Sequence, residues 1–325
     1  MTVRPELLAR LEGYRGEGKV DSSGSFTLSE ARAEEKLREF RHPEPRLYVL
    51  NLQAAAVAGG ASWVDFQGDA DDLILESDCL LPDATLLDQL HSLVFSTSAP
   101  PVFRELGIGL SGAQVLEPRI LRLEAWDGKR GAVLEYQGKK LVYQADQPRP
   151  APSAGRGEVN LRIHVRERVG LRTARKFLTR ISGGMTPDSE EDAVFRHCNR
   201  SPVPVTFNGT PAVRPLLLGS GQTVGFNDGA DLSHHPLGQL EGVTWQESTG
   251  PFRGILAIGG KLPPWVTLVL HGVNFRLPGE AFGAKKLRGV VYLEHLKKDL
   301  SQCQLVQDQS FLAVIDELIA LAAHL

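Results

Sequence analysis

The chain has 325 residues, a formal net charge of −3 at pH 7 and a hydrophobic fraction of 42%. These values are ordinary for a globular protein of about two domains, and the mixed charge excludes nucleic-acid binding through bulk electrostatic attraction. We expect no signal peptide and no membrane-spanning segment, because the first residues contain no apolar core region and no apolar run is long enough to cross a bilayer.

The N-terminal part of the chain changes from flexible to helical patterns. Residues 1–25 begin with leucines at helical spacing and pass into a Gly/Ser-rich stretch, which predicts a flexible arm. Residues 27–30 have the S/T-x-x-E capping-box pattern. They predict the start of a charged helix that ends near Arg41, before Pro43.

Residues 50–66 begin as an apolar, alanine-rich run and end in a stretch with the alternating pattern of a strand. The first part predicts a buried helix over Tyr48–Ala58, because alanines let a helix pack closely. Gly59 and Gly60 end this helix, since Gly readily adopts the left-handed C-cap conformation. The next two strands are predicted at 63–66 and 72–77, and a helix is predicted at 83–94.

The rest of the chain is rich in strand and turn patterns. Asp127-Gly128 and Gln137-Gly138 separate three strands, which predicts an antiparallel meander, and Asn208-Gly209 predicts a further hairpin. Residues 310–324 carry a wide apolar face at helical spacing and predict a helix that packs within the chain or meets a partner helix. Strands are predicted at 120–126, 132–136, 140–143, 159–165, 245–258 and 265–273.

Other chemistry-bearing residues give weak signals. Cys79, Cys198 and Cys303 are far apart and make no CxxC pair, which predicts buried or incidental thiols in a reducing, cytoplasmic compartment. His234-His235 lacks the third and fourth ligands of a zinc site. The acidic cluster at 69–72 lacks EF-hand spacing. The sequence therefore predicts no metal site.

The run from Asn51 to Ser62, Asn-Leu-Gln-Ala-Ala-Ala-Val-Ala-Gly-Gly-Ala-Ser, resembles the first motif of the GHKL (Bergerat-fold) ATPases. That superfamily includes gyrase, the heat-shock chaperone of the ninety-kilodalton class, histidine kinases and the mismatch-repair ATPase MutL. Its motif reads roughly Glu-Leu-Val-x-Asn-Ala-x-Asp-Ala-Gly-Ala-Thr. The general-base Glu falls on Asn51, the magnesium-binding Asn on Ala55 and the Asp on Ala58. The resemblance implies the fold, but these replacements argue against the reaction.

Asp78 follows the second predicted strand and matches another position of this family. There the Asp heads an Asp-x-Gly-x-Gly motif and accepts the adenine amino group, whereas Leu80 and Pro82 replace the two glycines here. Glycines allow the backbone to approach a ligand closely, so these replacements count against adenine binding. The alternative is a turn or N-cap aspartate before the next helix.

Gly107, Gly109 and Gly112 resemble by spacing the family's second glycine motif. In the family, backbone N–H groups of this loop and of the following helix N-terminus hold phosphates. The alternative is a helix start packed tightly on a sheet.

The C-terminal half also resembles this superfamily. Residues 166–178 resemble the passage that closes the ATPase domain of MutL, and Asn208-Gly209 resembles the hairpin that begins the transducer domain. Residues 288–301 resemble the chaperone's middle domain, whose γ-phosphate-contacting Arg falls on Gln302. The resemblance implies a flexible arm, an ATPase-type domain and a transducer-like domain. Their predicted bounds are 1–25, 26–190 and 191–325.

The resemblance implies an α/β (α+β) fold, a two-layer Bergerat-type sandwich followed by a transducer-like α/β domain. It makes ATP the candidate cofactor, and the candidate nucleotide-binding positions are Asn51, Ala55, Asp78, Gly107, Gly109 and Gly112. Two functions compete: a degenerate pseudo-ATPase that acts as a scaffold or conformational component of a larger assembly, and an active, slow, chaperone-like ATPase clamp.

We favour the scaffold because of two replaced side chains. Asn51 cannot take a proton from water as Glu would, and Ala55 offers no oxygen to Mg²⁺. We therefore expect no Mg²⁺, no catalytic residue and little or no ATP binding. A protein partner or client is expected, without nucleic acid or membrane, and the oligomeric state is left open.

Overall fold

The computed structural model describes residues 45–94, 96, 98–137, 140–152, 157–181, 189–216, 221–248, 250–259, 264–282, 287–299, 304–323 and 325. All of them belong to one compact unit that spans residues 37–325. The predicted arm at 1–25, the capping box at 27–30, Gln302 and Cys303 lie outside the described residues.

The described chain forms six α-helices and fourteen strands. The helices are α1 (Tyr48–Ala58), α2 (Leu90–Leu93), α3 (Pro101–Gln114), α4 (Leu171–Ile181), α5 (Glu190–His197) and α6 (Gln309–Ala322). Among the described residues, no helix combines the length and apolar character that a membrane span requires.

The strands come in runs along the described chain, and the last eight of them follow one another without an α-helix between them. The first eight are β1 (Val64–Gly68), β2 (Asp72–Ser77), β3 (Ile120–Trp126), β4 (Gly131–Gln137), β5 (Lys140–Gln147), β6 (Leu161–Arg166), β7 (Val205–Phe207) and β8 (Thr210–Pro211). The last six are β9 (Gln222–Asn227), β10 (Trp245–Glu247), β11 (Phe252–Ile258), β12 (Trp265–Leu270), β13 (Val273–Pro278) and β14 (Leu287–Leu293).

The first sheet has the order β5-β4-β3-β6-β2-β1-β7-β8, and its strands are antiparallel except for the parallel pair β1–β7. Buried and half-buried residues alternate along β3 and β6. One face therefore packs on the core while the other meets solvent. The predicted meander β3–β4–β5 is confirmed. So is the hairpin at Asn208-Gly209, whose φ angles of 48° and 78° suit a type I′ turn.

The second sheet has the order β10-β9-β11-β14-β12-β13. Its central strand β14 is buried along its whole length, because both faces of the sheet are covered. One face joins the core of the first sheet. The other face packs on a smaller cluster that includes Leu237 and Tyr292. The two sheets therefore share one continuous core, and the α/β class is confirmed.

The helix α1 lies in the middle of this core. Its residues from Tyr48 to Ala56 are all buried, which confirms the predicted alanine-rich buried helix. It packs on α3, where a Cβ placed on Gly109 would lie 2.5 Å from Cδ2 of Leu52. The alanines of α1 and the glycines of α3 thus permit a close approach of two helix backbones.

Some sequence predictions need correction. Residues 84–89 form a 3-10 helix, not the first half of an α-helix, and α2 is only one turn long. The arginine-rich helix begins at Leu171, not near Arg166, because Arg166 ends the strand β6. The domain bounds at 190 and 191 remain a prediction, and the first sheet takes β7 and β8 from beyond them.

The close contact at Gly109 gives a stability prediction. We expect Gly109→Ala to lower the free energy of unfolding by about 1–3 kcal/mol, the usual cost of overpacking. This loss would oppose the gain in stability of about 1 kcal/mol that Ala brings over Gly inside a helix. Urea denaturation measures the net change in the free energy of unfolding. Gly157→Ala is the control, because nothing lies within 4 Å of its added Cβ. Unchanged or greater stability of Gly109→Ala would contradict the close packing.

Candidate functional site

Two candidate positions of the first motif, Asn51 and Ala55, lie on α1 and are buried. Asn51 and Ala55 are one helical turn apart and therefore share a face. Nδ2 of Asn51 donates a hydrogen bond to Oε2 of Glu105 at 2.8 Å. Glu105 belongs to α3, so this polar contact lies between the two packed helices.

The three glycines of the second motif lie inside α3 and not in a loop before a helix. The expected phosphate-binding loop is therefore wrong, because the helix already begins at Pro101, a residue favoured at the first helical position. A Cβ on Gly107 would lie 2.2 Å from Cγ2 of Val94. The alternative, a helix start packed tightly on a sheet, is right only in the close packing: Gly107 and Gly109 lie in mid-helix and approach α2 and α1, not a sheet. Nucleotide binding by these positions stays a prediction.

Asp78 organises the turn between α1 and β1. Its Oδ1 accepts hydrogen bonds from the backbone N–H groups of Ser62 at 2.8 Å and Trp63 at 3.4 Å. Its Oδ2 accepts one from the Ser62 hydroxyl. The N-cap of the following 3-10 helix is instead Asp83, which accepts from Thr85 N–H at 2.9 Å. Between a turn and an N-cap aspartate, the hydrogen bonds of Asp78 match a turn aspartate, and its contact with adenine stays a prediction.

The motif segments nevertheless come together. A Cβ on Gly59, at the end of α1, would lie 2.3 Å from Sγ of Cys79 and 3.2 Å from Cγ2 of Val102. The end of α1, the residue after Asp78 and the start of α3 are thus neighbours. Burial raises the pKa of the Cys79 thiol to about 12, and Cys79 and Cys198 are both free and buried, as predicted.

A buried ion pair lies beside Asn51. Nζ of Lys298 is 2.5 Å from Oε2 of Glu105, the same oxygen that accepts from Asn51. The side chains of Lys298 and Glu105 are only 6% and 2% exposed. Lys298 follows β14, so the pair joins α3 to a segment leaving the second sheet. Sequence reasoning missed this lysine because it compared Gln302 with the family's cation. The two lysines Lys297 and Lys298, five and four residues before Gln302, were the signal in the sequence for a cation here.

A cavity of about 440 Å³ is lined by His271, whose pKa is affected by the charges of Glu105 and Lys298. It lies between the end of α1, the start of α3 and the second sheet, and its volume is within the range of small-molecule sites. Tyr292 lines it, is 6% exposed, and its hydroxyl has no hydrogen-bond partner among the described residues. The ring of His235 meets the Tyr292 ring edge-on at 4.3 Å. The predicted residues Asn51, Ala55, Asp78 and Gly107 do not line this cavity.

Two histidines of this cavity, His235 and His271, have lowered pKa values. Burial lowers the pKa of His235 from 6.5 to about 4, with help from Arg253 and opposition from Asp228. Burial also lowers the pKa of His271, and nearby Glu105 opposes the shift. Both imidazoles are therefore neutral near pH 7, and the cavity lining also includes the charged residues Arg253 and Glu294.

The acidic cluster noted in the sequence forms a local hydrogen-bonded turn. Carboxylate oxygens of Asp69, Asp71 and Asp72 lie within 4.8 Å of one another. Oδ1 of Asp69 accepts from the backbone N–H groups of the other two. Arg166 pairs with Asp71 at 3.2 Å, and His164 contacts Asp72 at 2.7 Å. These contacts account for the clustering of the three carboxylates.

No protein family matches this sequence, and no curated protein is similar to it. The solved structures that are similar in fold include the following two. The B-subunit of the DNA gyrase from Myxococcus xanthus has 13% identity and a TM-score of 0.46, with 85% of this chain and 88% of that chain covered. The ATPase region of Saccharomyces cerevisiae topoisomerase II has 8% identity and a TM-score of 0.45, with 84% and 82% covered. Neither similarity carries a conclusion about activity.

The buried ion pair gives a second prediction. Lys298→Met should lower the free energy of unfolding by about 3–5 kcal/mol, because it leaves the Glu105 carboxylate buried without a cation. Urea denaturation measures the loss. The double variant Glu105→Gln with Lys298→Met should recover most of it, since it removes both charges. Losses that simply add in the double variant would contradict the pairing.

The lowered pKa of His235 predicts a pH dependence of stability. The unfolded chain protonates this histidine near pH 6.5 and the folded chain only at about pH 4. The free energy of unfolding should therefore fall as pH falls through this window. His235→Asn should make this slope shallower while still accepting the hydrogen bond from Leu237 N–H. A slope remains, because burial also lowers the pKa of His197 and His271.

Urea denaturation at a series of pH values measures this slope. His234→Asn is the matched control, because the adjacent histidine is exposed. A variant His235→Asn with the same slope as the unaltered protein would show that His235 titrates normally in the folded state.

Proposed function

We propose that this protein is a degenerate GHKL-type ATPase that does not hydrolyse ATP and acts as a scaffold in a larger assembly. The observation that carries the proposal is the Asn51–Glu105–Lys298 contact. It fills, with the chain's own side chains, the helix face that the sequence resemblance assigns to the general base and Mg²⁺. The resemblance to the heat-shock chaperone of the ninety-kilodalton class and to MutL is part of this proposal.

The chemistry of these side chains supports the absence of hydrolysis. The Asn51 amide cannot act as a base, and the Ala55 methyl group offers no oxygen to Mg²⁺. Glu105 does not replace the missing base, because its carboxylate is buried against Lys298 and has no exposed side from which to activate water. Loss of a general base alone costs about 10²–10⁴-fold in rate.

The same contact supports a fixed conformation. In the family that the sequence resembles, a cation from the second domain contacts the γ-phosphate. Here the Glu105 carboxylate supplies the negative charge for Lys298, and it comes from the chain itself. The link between α3 and the segment after β14 then needs no nucleotide. Such a chain would present a constant surface to a protein partner.

This function predicts the outcome of nucleotide assays. Purified protein should release no phosphate from Mg²⁺–ATP above background, and calorimetry should detect no binding of ATP or ADP. Hydrogen exchange in α3 and in residues 294–299 should be unchanged by ATP. Phosphate release that disappears in Asp78→Asn would establish the alternative, an active and slow ATPase clamp.

A reconstruction tests whether the site is only eroded. The variant Asn51→Glu with Ala55→Asn and Glu105→Gln restores the two family side chains and removes the neighbouring carboxylate. We expect a folded protein without ATP affinity, because α1 and α3 remain packed together. Each unpaired buried polar group costs about 1–3 kcal/mol, so thermal unfolding is measured with the calorimetry. ATP binding by this variant would contradict a closed site.

A further inference from the structure

The helix α4 is inverted relative to an ordinary surface helix. The polar side chains of Arg172, Thr173 and Lys176 face the body of the protein, whereas Arg175 is exposed. Nζ of Lys176 lies 2.6 Å from Glu167 and 2.8 Å from Glu190. Arg172 pairs with the same two carboxylates. Lys176 and Thr173 are buried. Two cations and two anions therefore hold this helix in place.

The outer face of α4 is apolar. Leu171 is 93% exposed, Leu178 is 67% exposed and Ile181 is 69% exposed, and Phe177 beside them is 56% exposed. Their spacing places them on one side of the helix. Single exposed apolar residues are common, but a continuous stripe marks a surface that binds a partner.

The exposed face of α6 has a complementary pattern. Leu312, Asp316 and Ile319 are exposed and stand at positions i, i+4 and i+7. On α4 the same three positions are Leu171, Arg175 and Leu178, which are also exposed. Each helix thus presents two aliphatic residues around one charge, and the two charges have opposite sign.

We propose that α4 of one copy of this chain packs against α6 of a second copy. The aliphatic residues cover one another, and Arg175 faces Asp316. In a twofold dimer this contact forms twice, because each copy contributes both helices. The inference does not depend on whether nucleotide binds.

A membrane surface fits the same apolar stripe less well. Interfacial helices usually present many cations to anionic lipid. On α4, Arg172 and Lys176 are already paired inward with Glu167 and Glu190. The chain also carries a net charge of −3. The acidic counterpart on α6 therefore favours a second copy.

Sedimentation of the full chain over a concentration series tests the proposal. The unaltered protein should dimerise, and Leu178→Asp should be monomeric. Arg175→Asp and Asp316→Arg should each weaken dimerisation by about tenfold or more, since like charges then meet. The double reversal should restore it to within about threefold, because opposite charges meet again. Leu80→Asp, which changes an exposed leucine outside both helices, is the control.

Three outcomes would overturn the proposal. They are a monomer at every concentration, a dimer that Leu178→Asp leaves intact, and charge reversals whose effects add without rescue. Co-sedimentation of the monomer with vesicles of phosphatidylcholine and phosphatidylserine, lost in Leu178→Asp, would assign the stripe to a membrane instead. Thermal unfolding of each variant shows that it remains folded, and Arg175→Asp changes only an exposed side chain.

Discussion

The structure depends on one buried ion pair, Glu105 with Lys298. Two charges that leave water must compensate each other, because an isolated buried charge is strongly destabilising. This requirement fixes the segment after β14 against α3. It also fixes Asn51, whose amide donates to the same carboxylate oxygen. The need to pair these buried charges thus links α3, and through Asn51 also α1, to the segment that follows the second sheet.

The pair also explains why the resemblance to an ATPase and the proposed lack of hydrolysis are compatible. The segments that match the family motifs meet at α1, the residue after Asp78 and α3. Glycine and alanine in these segments let the helices pack without space between them. The open volume lies nearby, in the cavity beside Tyr292 and His235. The segments with the motif positions therefore form a packed junction, which supports the proposal that no nucleotide binds there.

Charge also decides the orientation of α4. Glu167 and Glu190 attract Arg172 and Lys176 inward. The apolar residues of this helix then face outward. A helix held by ion pairs keeps its apolar stripe available for another surface. Both α3 and α4 are thus anchored by ion pairs, to a residue distant in sequence for α3 and to residues on either side of the helix in the chain for α4. In α4 this anchoring leaves the outer surface suited to assembly.

The sequence by itself determined the elements whose signals are local. The bounds of α1, the strand at 72–77 and the hairpin at Asn208-Gly209 followed from residue spacing and turn chemistry. Only the tertiary structure decided that Gly107 and Gly109 lie inside a helix and that Lys298 pairs with Glu105, 193 residues away. Spacing specifies which backbone conformations are favourable over a few residues. The partner of a buried charge depends instead on which distant segments the shared core brings together.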